Sequence, residues 1–204
     1  MHTTTNTTTS RPATTRPASS NLPLMIVLAL LGLIVLLGLA VLIAWLIVHP
    51  KHLKFTVEDA SIKNFSVTND HINANYDFLI RAHNPNKRIS VYYDLIEVSV
   101  AYNSQTVAFN TLAPFHQRKH NVTDLDAKLE SREIALPSSM SRDIKNEKAH
   151  ADSLKLQVRL KAKTRYKVGG IKIRRHRMKI FCPDVTVHFS SSKSFDRVYC
   201  DVDY

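Results

Sequence analysis

Two histidines four residues apart, His116 and His120 in HQRKH, have the spacing with which a helix presents two imidazoles to zinc. A zinc hydrolase of that design needs a glutamate beside the first histidine as general base. Position 117 is glutamine, and Pro114 with the following NVT favours loop or strand over helix. There is no Gly-x-Ser-x-Gly elbow and no phosphate-cradling loop. Gly169 and Gly170 are the only glycines beyond an apolar N-terminal segment. The expectation is a chain that is not an enzyme and needs no cofactor.

Charge is the feature that stands above background. The chain has 204 residues and a formal charge of +11, and ten lysines or arginines with no acid lie between Arg159 and Lys179. Arg159, Lys161, Lys163, Arg165 and Lys167 recur with a period of two, which on a strand puts all five on one face. Leu160, Ala162, Tyr166 and Val168 then face a core. Like charges about 7 Å apart repel, so such a row is either a solvated face or one that meets an anion.

Three further groups carry local chemistry. In NPNKRISVYYD, Pro85 pre-sets a turn, Asn84 is pushed towards extended geometry, and Asn86 tolerates the left-handed region. Lys87 and Arg88 follow the turn. Tyr92 and Tyr93, adjacent on a strand that runs on to Asp94, must point to opposite faces, one anchoring a core. The stretch reads mainly as a turn that fixes strand register, with partner contact by Lys87, Arg88 and the outer tyrosine as the alternative. Asn64 (NFS) and Asn121 (NVT) are glycosylation acceptors if the domain is outside the cytosol. Cys182 and Cys200 lie near opposite ends of the final strand pair and can face each other across it; the alternative is two buried free thiols.

These groups need elements to position them. Residues 24–48 contain no charged side chain and exceed the roughly 20 apolar residues that cross a bilayer. No face of such a helix is polar, and the run is too long for a signal-peptide core, so one uncleaved transmembrane helix is expected. Residues 1–23, rich in Thr, Ser and Pro, are too polar to offset their ordering entropy and should form a disordered tail. Residues 49–204 make one domain, with 26 basic residues against 17 acidic ones, or +9. Its dominant period is two: Ile72, Ala74, Tyr76, Phe78, Ile80 and Ala82 share a face, and so do Ile96, Val98, Val100 and Tyr102. NSQ (103–105) and Gly169-Gly170 break the pattern as turns, and only 137–150 look like a short helix or a long loop. The fold class read from this pattern is all-β, a single antiparallel β-sandwich after one N-terminal transmembrane α-helix. The two cysteines and the two sequons of the domain favour the lumen or cell exterior for it.

A membrane helix, then NPNKRISVYYD, PFHQRKHNVT, RLKAKTRYKVGGIKIRRHRMKIFC and a last cysteine, in that order, resemble the plant harpin-induced-like and non-race-specific-disease-resistance-like family. The likeness covers residues 24–204, and its extracytoplasmic part is a group 2 late-embryogenesis-abundant (WHy-type) domain. It implies a fibronectin-III-like sandwich and a single-pass protein of plant defence or stress response. The implied place is the plasma membrane, N-terminus cytosolic and domain extracellular, with the endoplasmic reticulum as the other possible membrane. Arg118 stands where relatives tend to carry glycine, and the YCDVDY end has no apolar tail to exchange for a lipid anchor. The expected mode of action is docking to a protein partner or an acidic cell-wall polymer at the basic face, with no nucleic acid involved. A stress-protection or apolar-ligand-binding domain is the rival.

Overall fold

The computed structural model describes residues 22–48, 51–189 and 194–204, except the side chains of residues 22, 44, 46–48 and 171–174. The tail up to residue 21 lies outside the described residues, as do residues 190–193 of the last connection. The chain divides into two units, Met1–His49 and Pro50–Tyr204.

In the first unit α1 (Leu22–Val48) has 27 residues and no charged group at either end. At 1.5 Å per residue it is about 40 Å long, more than a bilayer core requires. Its described leucines, isoleucines and valines are exposed all round, from Leu24 to Ile43. One helix of this chain is therefore long and apolar enough to cross a membrane.

Among its described residues the second unit is antiparallel β apart from one helix. The strands are β1 (Lys54–Thr68), β2 (His71–Asn84), β3 (Ile89–Tyr102), β4 (Gln105–Leu112), β5 (Phe115–Gln117), β6 (Asn121–Ala135), β7 (Ser153–Val168), β8 (Ile171–His188) and β9 (Val198–Asp203). α2 (Ser138–Ala151) lies between β6 and β7, where the period-two pattern lapses. Neighbours run β4-β3-β7-β8-β9-β1-β2-β6, with β5 added to β3. Tight turns explain the hairpins. Asn69-Asp70 and Asn103-Ser104 all have positive φ, the mirror-image turn whose twist matches paired strands, and Gly169 (φ 59) serves β7–β8.

The sandwich is nearly closed, and β9 is what closes it on one side. This six-residue strand pairs with β8 (Lys179↔Asp203, Phe181↔Asp201) and with β1 (Phe55↔Cys200, Val57↔Val198), so it belongs to both halves. On the other side β4 and β6 meet without a backbone ladder. Asn110 Nδ2 donates to the Lys128 carbonyl (2.7 Å) and Ser131 Oγ to the Val107 carbonyl (2.7 Å).

Alternation fills the interior. On β2, Ile72, Ala74, Tyr76, Phe78, Ile80 and Ala82 are all buried, in register with Leu125, Ala127 and Leu129 of β6. Each large apolar side chain contributes roughly 1.5–3 kcal/mol by leaving water. Tyr93 stacks on Phe115 (4.4 Å between centroids) and meets Phe55 edge-on (6.5 Å). α2 buries Ile144 against this core, and its N-terminus lacks a cap from its own side chains. Asp70, in the β1–β2 turn, supplies the missing anion by accepting from Ser138 Oγ. That hydrogen bond holds the Asp70 carboxyl below its ordinary range.

Candidate functional site

The five cations predicted on one face of β7 do point away from the core. Leu160 and Ala162 between them are buried, and Tyr166 and Val168 are half-buried. The face is wider than a single strand, because β8 lies beside β7 with its cations in register. Lys161 opposes Lys179, Lys163 opposes Arg177, and Arg165 opposes Arg175. Directly opposed like charges destabilise a sheet.

The row is also less uniform than its spacing suggested. Arg165 is already neutralised: its Nε and Nη2 atoms donate to the two carboxylate oxygens of Asp94 on β3. This fork keeps the Asp94 carboxyl below its usual range. Arg165 also lies over the Tyr92 ring (5.8 Å), which stacks on His116 (4.1 Å). Arg159 bonds Gln157 and covers Phe181. Glu97 opposes Lys161, and Asp203 opposes Lys179, so acids flank the patch. Among the described residues none of them lies within 4.0 Å of Lys161, Lys163, Arg175, Arg177 or Lys179. The exposed, unpaired part is therefore a patch two strands wide rather than a five-residue stripe.

The Asn84–Arg88 stretch does more than turn. Asn84 is fully buried and continues the inward phase of β2. Its Nδ2 donates to the carbonyls of Ile89 (2.9 Å) and Arg118 (3.1 Å), and its Oδ1 accepts from the Asn86 backbone N–H (3.1 Å). Asn86 does not use the left-handed conformation that its type permits; His120 (φ 48) does so instead. The Asn86 side chain instead pairs with the Lys51 backbone like a strand neighbour. Oδ1 accepts from Lys51 N–H (2.7 Å), and Nδ2 donates to the Lys51 carbonyl (2.8 Å). Tyr93 is buried and Tyr92 half-exposed, as adjacent strand residues must be, while Lys87 and Arg88 are exposed beside half-buried Pro85.

A family model described as late embryogenesis abundant protein matches residues 79–182. An uncharacterized protein of Arabidopsis thaliana is 36% identical over 88% of this chain and 83% of its own length. NDR1/HIN1-like protein 3 of the same plant is 35% identical, over 79% of this chain and 72% of its own. The chain belongs to the NDR1/HIN1-like branch of the late embryogenesis abundant family. These are plant proteins related to stress and defence. A solution structure of another Arabidopsis thaliana protein covers 68% of this chain and 84% of its own at 14% identity, with a TM-score of 0.28.

In this NDR1/HIN1-like chain Cys182 and Cys200 are joined by a disulfide, so the free-thiol alternative drops out. The bridge ties β8 to the strand that both halves share. Asn64 is exposed on a β-bulge with φ 51, and Asn121 is exposed at the start of β6. The histidine pair is split: His116 lies on β5, His120 in the turn before β6, and no group of three metal-binding side chains occurs among the described residues.

Gln117, weighed in the sequence only as the wrong residue for a zinc site, has a structural task. β5 alternation turns it inward, opposite in phase to His116. Its Nε2 donates to the Ala82 carbonyl (2.7 Å) and its Oε1 accepts from the Tyr93 hydroxyl (3.3 Å). The signal for it was present, since Phe115-His116-Gln117 is a period-two triplet with a polar inner member. Burial raises the Tyr93 hydroxyl pKa well above its ordinary value and pushes that of Tyr166 up to about 12.

Proposed function

We propose that this chain is a single-pass, non-enzymatic protein of the plant plasma membrane. α1 is its anchor, its N-terminus is cytosolic, and its β domain is extracellular, where it acts in defence or stress response by docking an anionic partner. The observation that carries the docking mode is the β7–β8 patch, where Lys161–Lys179 and Lys163–Arg177 oppose like charge to like charge. Left alone the patch costs stability; an acidic cell-wall polymer laid along the strands relieves the repulsion and releases counterions. The rival, an apolar-ligand carrier, has less support. The interior is occupied by Tyr76, Tyr93, Tyr102, Met178 and branched aliphatics, and a shallow depression on the outer side of β1, β2 and β6 is lined by Asp59, Asp77, Asp126 and Lys128 together with Phe78, Leu79 and Ala127.

The patch is tested with pectate at low and moderate salt. The parent protein should bind, with affinity falling as salt screens exposed charge over about 10 Å at 0.1 M. Changing Lys161, Lys163 and Lys179 to Gln should leave thermal stability within about 0.5 kcal/mol or raise it. Binding should be largely lost. A folded triple variant that binds as the parent does removes the patch from the mechanism, and retained binding only to acidic proteins replaces the polymer by a protein partner. The side of the membrane is tested separately. Glycosidase should increase the mobility of protein isolated from plant cells, and Asn64→Gln with Asn121→Gln should abolish that shift. Protease access to the domain from the cytosolic side of sealed vesicles would overturn the orientation.

A further inference from the structure

The β4–β6 seam carries an aromatic ring that alternation alone would have buried. A strict period of two through Thr106-Val107-Ala108-Phe109 turns Phe109 inward with Val107. Strands β3 and β4 instead shift register here, from Val100↔Ala108 to Ala101↔Thr106, which leaves Val107 as an extra residue. Val107 and Ala108 are both buried in consequence, and Phe109 emerges opposite Ser99. It is 79% exposed, more than any other large apolar side chain described in the β domain. Bulges re-aim side chains in this way beside functional sites. The ring borders a groove of about 560 Å3 on the outer side of the seam, a size within the roughly 300–1,000 Å3 of small-ligand clefts.

Across the groove β2 and β6 present Asn75, Asp77, Lys128, Glu130 and Arg132, with Asn75 opposite Glu130 and Asp77 opposite Lys128. Two acids face two bases, and each acid already has a cation: Glu130 takes Arg132 (2.7 Å) and Asp77 takes Lys63 (2.8 Å). A polyion therefore has no net charge to answer here. An added peptide strand has little to pair with along this seam either, because side chains already hold two of its carbonyls, those of Lys128 and Val107. The Asn75 amide, by contrast, has no hydrogen-bond partner among the described residues. An open aromatic face, an unused amide and fixed, paired charges are what an uncharged polyhydroxylated chain can use. The C–H face of a sugar ring packs on an aromatic ring, and its hydroxyls donate to carboxylates and accept from amide or guanidinium N–H groups. We infer that the groove binds a neutral polysaccharide, with Phe109 as the stacking platform and Asn75, Glu130 and Arg132 as the hydroxyl partners. The occupant is a β-linked glucose chain, whose equatorial hydroxyls leave the flattest C–H faces. This site shares no residue with the β7–β8 patch and is independent of the docking reading drawn from it.

The test titrates the full chain, in a detergent without a sugar headgroup, with cellohexaose by isothermal calorimetry. Saturable binding is expected, equal at low and high salt because the ligand carries no charge to screen. Phe109→Ala should weaken it about tenfold or more, whereas Phe109→Trp, which keeps an aromatic face, should bind at least as well as the parent. Asn75→Ala should bring a several-fold loss, with the melting temperature unchanged in all three variants. Maltohexaose, the same glucose units in α linkage, should bind several-fold more weakly than cellohexaose. The variant with Lys161, Lys163 and Lys179 changed to Gln should bind cellohexaose as the parent does, so failure of the basic patch and failure of this groove are read separately. No saturable binding of cellohexaose overturns the inference. So does binding that survives Phe109→Ala, is weakened equally by Phe109→Trp, or is lost with the three lysines. Equal affinity for maltohexaose overturns the assignment of a β-linked chain. A dimer that Phe109→Ala dissolves, seen by light scattering in a parent that binds no oligosaccharide, gives the ring to a second copy of the chain and overturns the site.

Discussion

The two outer faces of the β domain handle charge in opposite ways. On β1, β2 and β6, acids and bases meet one another. Lys63 pairs with Asp77 (2.8 Å), Arg81 reaches both Asp124 (2.7 Å) and Glu58 (3.4 Å), and Arg197 adds a second cation to Glu58 (2.7 Å). Burial would raise the Glu58 carboxyl, yet its hydrogen bonds from Thr56 and Arg197 and the nearby Arg81 together hold it low. On β7 and β8, cation opposes cation, and within the patch Asp94 answers only Arg165. Exposed ion pairs contribute little, so the first face is stable without being driven by its charges. The second face is kept despite its charges. Under the docking proposal, that opposed charge, edged by Glu97 and Asp203, is what an anionic partner would relieve.

The largest expected effect falls on the element that both faces share. Cys200→Ala removes the disulfide that reinforces the β8–β9 ladder, in the strand that bridges the two halves. Loss of a native disulfide in a small domain costs about 2–5 kcal/mol, so urea unfolding should show a lower midpoint of that size. A loss below about 1 kcal/mol would mean that β9 is held by its ladders alone.

A smaller effect sharpens the contrast from the basic side. Asp94→Asn releases Arg165, so pectate affinity at low salt should rise a few-fold while stability at neutral pH falls by up to about 1 kcal/mol. The sign with pH is set by the carboxyl, whose folded value is depressed by the Arg165 hydrogen bonds. Its contribution is complete above the unfolded carboxylate range near 4 and disappears as pH falls through the lower folded value. A melting-temperature titration should therefore show a shallower acid limb in the variant. An unchanged limb removes the Asp94–Arg165 pair from the stability balance.

The least effect is expected on the paired face. Arg81→Gln breaks the contacts of a half-buried arginine to exposed Asp124 and half-buried Glu58 and should cost no more than about 1 kcal/mol, with pectate binding unchanged. If it abolishes binding, the two faces do not act separately and the contrast fails.

What each residue faces was legible in the chain, and what it touches was not. The period of two from Ile72 to Ala82, and that of Leu160 and Ala162 between the β7 cations, assigned inner and outer sides correctly, because a strand's side chains alternate whatever its neighbours are. α1 needed only composition, since an all-apolar run has no polar face to turn to water. The turns at Asn103 and Gly169 were visible for a similarly local reason: few residue types accept positive φ cheaply. The partners came from tertiary structure. Asp94 and Arg165 are 71 residues apart and Asn86 and Lys51 are 35 apart, and both pairs depend on register between distant segments. Gln117 became a core residue only because β5 pairs with β3. The cations of β8 became a patch only because Lys179 and Arg177 fell opposite Lys161 and Lys163. Local sequence sets the direction of a side chain through backbone stereochemistry, while strand order and register, decided by the packing of the whole domain, choose what it meets.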